Sequence, residues 1–206
     1  MNTSSNTDSN KTVVGLVGGI ASGKTTVAEM LEDCGALVVN ADELAHEALE
    51  QPDIQEQIKT EFGEEFVSDG SVNRSMLSNV VFSDEEQIKK LNALIHPYVL
   101  DRIERRIRAF REQEEHSVLV LDVPLLVETD LHDRCDRVIF LDTPEEDRLH
   151  RVREHRDWSS EELKRREAAQ GDLRLKRQIS DCTIDTSTSL GDIEKRVSSL
   201  YQNLVQ

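Results

Sequence analysis

Cysteine is scarce and scattered: Cys34, Cys135 and Cys182 are the three in 206 residues, and none has metal-ligand or redox spacing. That excludes a disulfide framework and a cysteine-built metal site, and it points to reduced thiols in a cytoplasmic protein. No apolar run approaches the roughly 20 residues that cross a bilayer, so no membrane span is expected. The opening stretch Met1–Asn10 lacks both a basic and an apolar region, which excludes a signal peptide; residues 1–10 read as a disordered tail. Basic charge is in deficit as well, with 25 Lys and Arg against 41 Asp and Glu, a net of −16. A surface this acidic repels polyanions, so nucleic acid and membranes are excluded as partners.

The charge that is present is unevenly placed. Ten of the 25 basic residues, with only 8 of the 41 acidic ones, fall between Glu146 and Arg177. An anion-binding segment is thus set into an acidic chain. Short β-rich apolar runs recur at Thr12–Val17, Ala36–Val39, Ser117–Asp122, Arg137–Leu141 and Cys182–Asp185. Most are continuous rather than alternating, as in strands buried on both faces of a parallel sheet. Helical patterns lie at Lys24–Cys34, Pro97–Glu115, Pro144–Glu154 and Leu190–Asn203. The expected fold is α/β, with a five-stranded parallel sheet and flanking helices. A nucleotide-binding core is expected from 11–41, 117–142 and 182–206. A helical insertion, broken near Pro52, Gly63, Gly70 and Pro97, fills 42–116, and a lid or a static helical hairpin fills 143–181.

Between the first run and the first helix stands Gly18-Gly-Ile-Ala-Ser-Gly23-Lys24-Thr25, which fits the P-loop pattern G-x-x-x-x-G-K-[ST]. Strand, loop and helix follow in the required order. The loop amides of Gly19, Ala21, Ser22, Gly23, Lys24, Thr25 and Thr26 point to a cradle for ATP phosphates at a helix N-terminus. Lys24 is expected against the β- and γ-phosphates and the Thr25 hydroxyl on Mg²⁺. The guanine-reading Asn-Lys-x-Asp motif is absent, which argues against a GTPase. The second strand leads to Asp42, at the strand end where ligands collect. Its carboxylate either orients an attacking hydroxyl and takes its proton, or caps a helix over Glu43–Glu50.

GGIASGKTT, Asn40-Ala-Asp42, Leu91-Asn-Ala-Leu-Ile-His-Pro97, Asp122-Val-Pro-Leu-Leu-Val-Glu128, Arg166-x-x-x-Gln170 and Cys182-Thr-Ile-Asp185 together resemble the dephospho-CoA kinase family. The resemblance covers residues 12 to 203. It implies phosphorylation of the ribose 3′-hydroxyl of dephospho-CoA by ATP with Mg²⁺, the last step of coenzyme A synthesis. The fold it implies is a P-loop core with a helical CoA-binding domain and a lid, in a monomer or weak homo-oligomer acting on small molecules. On this pattern Asp42 and Lys24 are catalytic and Arg148 meets the nucleotide, with Arg151 a weaker candidate. His96, Leu125, Leu126, Glu128, Arg166 and Gln170 meet the substrate. His96 also suits a helix boundary, and Glu128 a structural hydrogen bond. Asp122 stands where P-loop proteins often carry a metal-associated acid, although that position is not always acidic in this family.

Three positions depart from the family pattern. Ala21 replaces a usual glycine and requires negative φ there. Asn40 replaces a frequent Asp, and Thr186 stands where relatives usually carry Asn after Asp185. Another kinase of the same core, or a nucleotide-dependent switch without turnover, remain the rival readings.

Overall fold

The computed structural model describes residues 11–81, 84–168 and 170–206, with backbone alone at Glu85. The expected tail at 1–10 lies outside the described residues. By internal packing the chain divides into two units. One comprises residues up to Val39 together with Ala109–Gln206; the other is Asn40–Arg108.

The first unit is built on a five-stranded parallel sheet in the order β2-β5-β1-β6-β7. The strands are β1 (Thr12–Gly18), β2 (Leu37–Asn40), β5 (Val118–Asp122), β6 (Arg137–Asp142) and β7 (Cys182–Asp185). Central β1 runs parallel to β5 with Thr12 opposite Val118, and parallel to β6 with Gly18 opposite Leu141. Every residue of β5 is buried, as its unbroken apolar run requires. One face is covered by α1 (Lys24–Asp33) and α9 (Leu190–Leu204). Val27, Leu31, Ile193 and Val197 there close over Val14, Leu16, Val120 and Ile139, all of them buried. The unit also holds α6 (Glu145–Arg156), α7 (Ser160–Ala168) and α8 (Leu173–Gln178). Because β1, β6 and β7 run parallel, their carboxyl ends gather at one edge of the sheet.

The second unit contains α2 (Ala41–Leu49), α3 (Pro52–Phe62), a hairpin of β3 (Val67–Ser68) and β4 (Ser71–Val72), α4 (Arg74–Val81) and the greater part of α5 (Glu85–Glu112). The break near Gly70 is an antiparallel hairpin, turned by Asp69 and Gly70 at φ 52° and 71°. One expectation is corrected here: Pro97 does not begin a helix, because α5 runs through it. Ile95, Val99, Ile103 and Ile107 recur every four residues and are buried. That continuous apolar stripe outweighs the one backbone donor that proline removes.

Candidate functional site

β1 delivers Gly18 to the carboxyl edge, and α1 opens at Lys24. Gly23 makes the joint at φ 89° and ψ 26°, and no side chain caps α1. The amides of its first turn are therefore left to an incoming anion. Ala21 corrects the expectation of negative φ, since it sits at φ 59°. An L-residue pays a steric penalty there that glycine escapes, and the surroundings hold it in place. Arg151 donates to the Ala21 carbonyl at 3.0 Å and to the Thr186 carbonyl at 2.7 Å. Ser22 is fully buried, and its carbonyl oxygen lies 3.2 Å from the Thr143 hydroxyl and 3.0 Å from that of Thr186. Arg151 thus serves the loop's backbone, and Thr186, the departure from the family's Asn, is a buried anchor for it.

Charge is concentrated around this loop. Lys24 folds back, donating to the Gly18 and Gly19 carbonyls at 3.3 and 3.0 Å. Burial lowers its pKa to about 8; Asp122 and Glu167 oppose the shift, whereas Lys176 and Arg148 add to it. The Thr25 hydroxyl donates to Asp122 Oδ2 at 2.9 Å, and that carboxylate is buried at the end of β5. Arg148 is 5% exposed, donates to the Thr143 carbonyl at 3.2 Å, and is paired with Glu167. Its partner is none of the sequence-adjacent acids Glu146, Asp147, Glu154 or Asp157. The Arg148 guanidinium approaches so closely that a Cβ on Gly19 would lie 2.6 Å from Nη1. Glu167 also accepts from the Ile20 amide at 3.0 Å. Lys176 is 2% exposed and pairs with Glu128 at 3.0 Å. Three cations and three carboxylates therefore gather around the loop. The arrangement suits a polyphosphate that takes over the partners of the carboxylates.

In the second unit Asn40, not Asp42, caps α2: its side-chain oxygen accepts from the Asp42 and Glu43 amides at 2.8 and 3.3 Å. The capping reading of Asp42 is thereby removed, and its side chain stands exposed in the helix's first turn. The substitution of Asn for a family Asp at position 40 fits this capping role.

Residues 12–192 match the family model described as dephospho-CoA kinase. The chain belongs to the dephospho-CoA kinase family. It is 41% identical over 192 residues to the dephospho-CoA kinase of Bacillus licheniformis, covering 91% of this chain and 94% of that protein. It is 37% identical over 194 residues to that of Thermobifida fusca, covering 93% and 95% respectively. The structure of TT1252 from Thermus thermophilus superposes with a TM-score of 0.74 at 32% identity, covering 95% of this chain and 99% of that one.

The other residues singled out by family pattern are placed as follows. His96 is half-buried within α5, where desolvation lowers its pKa and keeps the imidazole neutral near pH 7. Leu125 is partly exposed in the turn after β5. Leu126 is fully buried and packed against Gly15. Arg166 bonds Glu162 at 2.6 Å and lies over Trp158 at 4.1 Å. Gln170 lies beyond α7, which ends at Ala168, and Gly171, at φ 74°, turns the chain toward α8. The second unit also carries an open groove of about 440 Å³, lined by Ile54, Leu94, Pro97, Tyr98, Arg102 and other residues of α3 and α5. Nothing local in the sequence marks Glu167 and Lys176, because each pairs with a residue of another element at no helical spacing.

Proposed function

We propose that this protein transfers the γ-phosphoryl group of ATP to the ribose 3′-hydroxyl of dephospho-CoA, giving CoA and ADP in the last step of coenzyme A synthesis. The observation that carries the reading is the family match over 12–192, joined to a charge-lined P-loop with Lys24 and Arg148 at its centre. The loop amides hold the phosphate oxygens, and Lys24 neutralises charge between the β- and γ-phosphates. Glu167 gives way to the nucleotide, which frees both Arg148 and the Ile20 amide for phosphate. Thr25 and Asp122 fit Mg²⁺: a hydroxyl and a buried carboxylate 2.9 Å apart are the hard oxygen donors that this cation takes. When bound there it offsets the charge of the phosphates.

Asp42 receives the proton of the attacking hydroxyl; its exposed carboxylate and its release from capping support that role. His96, Leu125 and Gln170 contact the acceptor, His96 as a neutral hydrogen-bonding group. Arg166 acts within the lid at 143–181, and Glu128 acts through Lys176. Residues 42–116 form the acceptor-binding domain, and the core is made from 11–41, 117–142 and 182–206. Its three free thiols suit a reducing cytoplasm, where we place it as a monomer or weak homo-oligomer. None of its described helices is long and apolar enough to cross a membrane.

The test is ADP release from ATP and Mg²⁺ with dephospho-CoA as acceptor. Adenosine, AMP and gluconate run in parallel, with Lys24→Ala as the blank. Turnover with dephospho-CoA alone, lost in the blank, is expected. Turnover with another acceptor and none with dephospho-CoA overturns the substrate assignment and leaves the kinase.

A further inference from the structure

We propose that Lys176 is a second catalytic ammonium of the phosphate site, contacting the transferred phosphoryl group and held for that purpose by Glu128. The proposal rests on the kinase reading above. Lys176 lies on the short helix α8, yet its side chain is only 3% exposed and its ammonium is paired with Glu128 Oε1 at 3.0 Å. Lysine usually carries its charge into water along a flexible stem, so an enclosed ammonium needs a reason.

The fold goes to some length to keep it enclosed. Gly171 turns at φ 74° beside Glu128, and a Cβ there would lie 2.6 Å from Glu128 Oε1. Asp172 then caps α8 by accepting from the Arg174 amide at 2.8 Å. This turn and cap set α8 where Lys176 reaches inward. Glu128 follows β5 in the turn that begins just after Asp122, the carboxylate bonded to Thr25.

A structural bolt between α8 and the β5 turn accounts for less. An ion pair whose carboxylate side chain is 24% exposed is weak stabilisation, and an apolar residue in place of the buried lysine would avoid the cost of desolvating its charge. Lys176 also acts electrostatically on Lys24 and helps to lower its pKa. Lys176 and Lys24 are like charges close enough to act on each other, and Glu128, Asp122 and Glu167 are the carboxylates that offset them until an anion enters. The anion that enters a P-loop is the polyphosphate end of a nucleotide. The loop amides and Lys24 serve the phosphates nearest the loop. Lys176 is held from outside the loop through Glu128 of the β5 turn, and in this scheme it is the group that meets the terminal phosphoryl. Glu128 is a positioning residue in this scheme: it holds the ammonium until the γ-phosphoryl group arrives.

The experiment compares wild type with Lys176→Met and Lys176→Arg, reading binding of ADP and of a non-hydrolysable ATP analogue by calorimetry without acceptor. Binding without acceptor keeps the test independent of which alcohol is phosphorylated. Lys176→Met is expected to lose about tenfold in affinity for the ATP analogue, the size of one charge-assisted hydrogen bond, while ADP affinity stays within about twofold. Its kcat should fall by about 100-fold, as when one donor to transition-state charge is removed. Lys176→Arg should retain most of the preference for the ATP analogue. Affinities that fall together, or that both stay unchanged, overturn the proposal. Should Lys176→Met fail to fold, wild type labelled with ¹³C at lysine Cε carries the test, with Lys176→Arg to assign the resonance. The Lys176 signal is expected to move with the ATP analogue and not with ADP; equal movement, or none, overturns the assignment.

Discussion

At the scale of single residues, the loop's most constrained position is Ala21 at φ 59°. Glycine and alanine differ little there: relief of left-handed strain is offset by a freer unfolded chain and by lost contact with the Ile20, Val152 and Leu163 cluster. Ala21→Gly should therefore stay within about 0.5 kcal/mol of wild type in urea unfolding. A β-branched residue in that region is a true outlier, so Ala21→Val should lose about 2 kcal/mol in the same measurement. Lys24 yields a prediction in pH. Its pKa in the ligand-free protein is lowered to about 8, so the cation needed for phosphate is progressively lost above that pH. Bound phosphate favours the charged form and raises the pKa again. Hence kcat/KM for ATP should fall as pH rises through 8, while kcat at saturating ATP holds to higher pH. Coincident alkaline limbs in the two profiles would remove Lys24 as their source. The division of labour between Asn40 and Asp42 is also testable. Asn40→Ala should cost about 1 kcal/mol of stability through the lost cap. Asp42→Asn should leave stability unchanged and lower kcat by roughly 10²- to 10⁴-fold.

At the scale of elements, the central strands β1, β5 and β6 could be read from sequence because each is an apolar run buried along most of its length, while the edge strands β2 and β7, which bury only Val39 and Ile184, are legible as shorter β-rich runs. Ser117–Asp122 needed no knowledge of its neighbours to be recognised, and the P-loop was legible because glycine, Lys24 and Thr25 must occur at fixed spacing. The failures share a different cause. Pro97 suggested a helix start, but the stripe Ile95, Val99, Ile103 and Ile107 carries α5 through it. That weighing needs tertiary burial, which no local rule contains. The β3–β4 hairpin did have a local signal, Asp69-Gly70, but strands of two residues offer no alternation around it. The ion pairs that shape the site, Arg148 with Glu167 and Lys176 with Glu128, join different elements at no helical spacing and leave no periodic trace. Thr186 belongs to the same class: its exposure is 2%, and its hydroxyl ties β7 to the loop at Ser22. Thr186→Val keeps the volume but strands the polar groups that the hydroxyl serves. It should lose about 1–2 kcal/mol in urea unfolding and raise KM for ATP, and an unchanged KM would separate the anchor from the loop's function.

At the scale of the whole molecule, a net charge of −16 opposes the approach of an anionic nucleotide, and the basic run from Glu146 to Arg177 answers it locally. In the ligand-free state that answer is partly cancelled, because Glu167 occupies both Arg148 and the Ile20 amide. Nucleotide binding must then displace a carboxylate as well as form its own contacts. The single tryptophan reports on this step. Trp158 lies between Arg156 at 4.9 Å and Arg166 at 4.1 Å and packs on the cluster of Ile20, Val152 and Leu163. Glu167 follows Arg166 directly on α7, so releasing its hold on the loop alters the surroundings of the indole. A fluorescence titration with ADP should give a saturable change in wild type and none in Lys24→Ala. In Glu167→Gln the negative charge is gone from the phosphate position, while an amide of similar size remains. Removing that competitor is worth about 1 kcal/mol, so the variant should bind ADP roughly fivefold tighter. Weaker binding would mean that Glu167 chiefly positions Arg148 for the nucleotide, and that its contact with the Ile20 amide does not compete with phosphate.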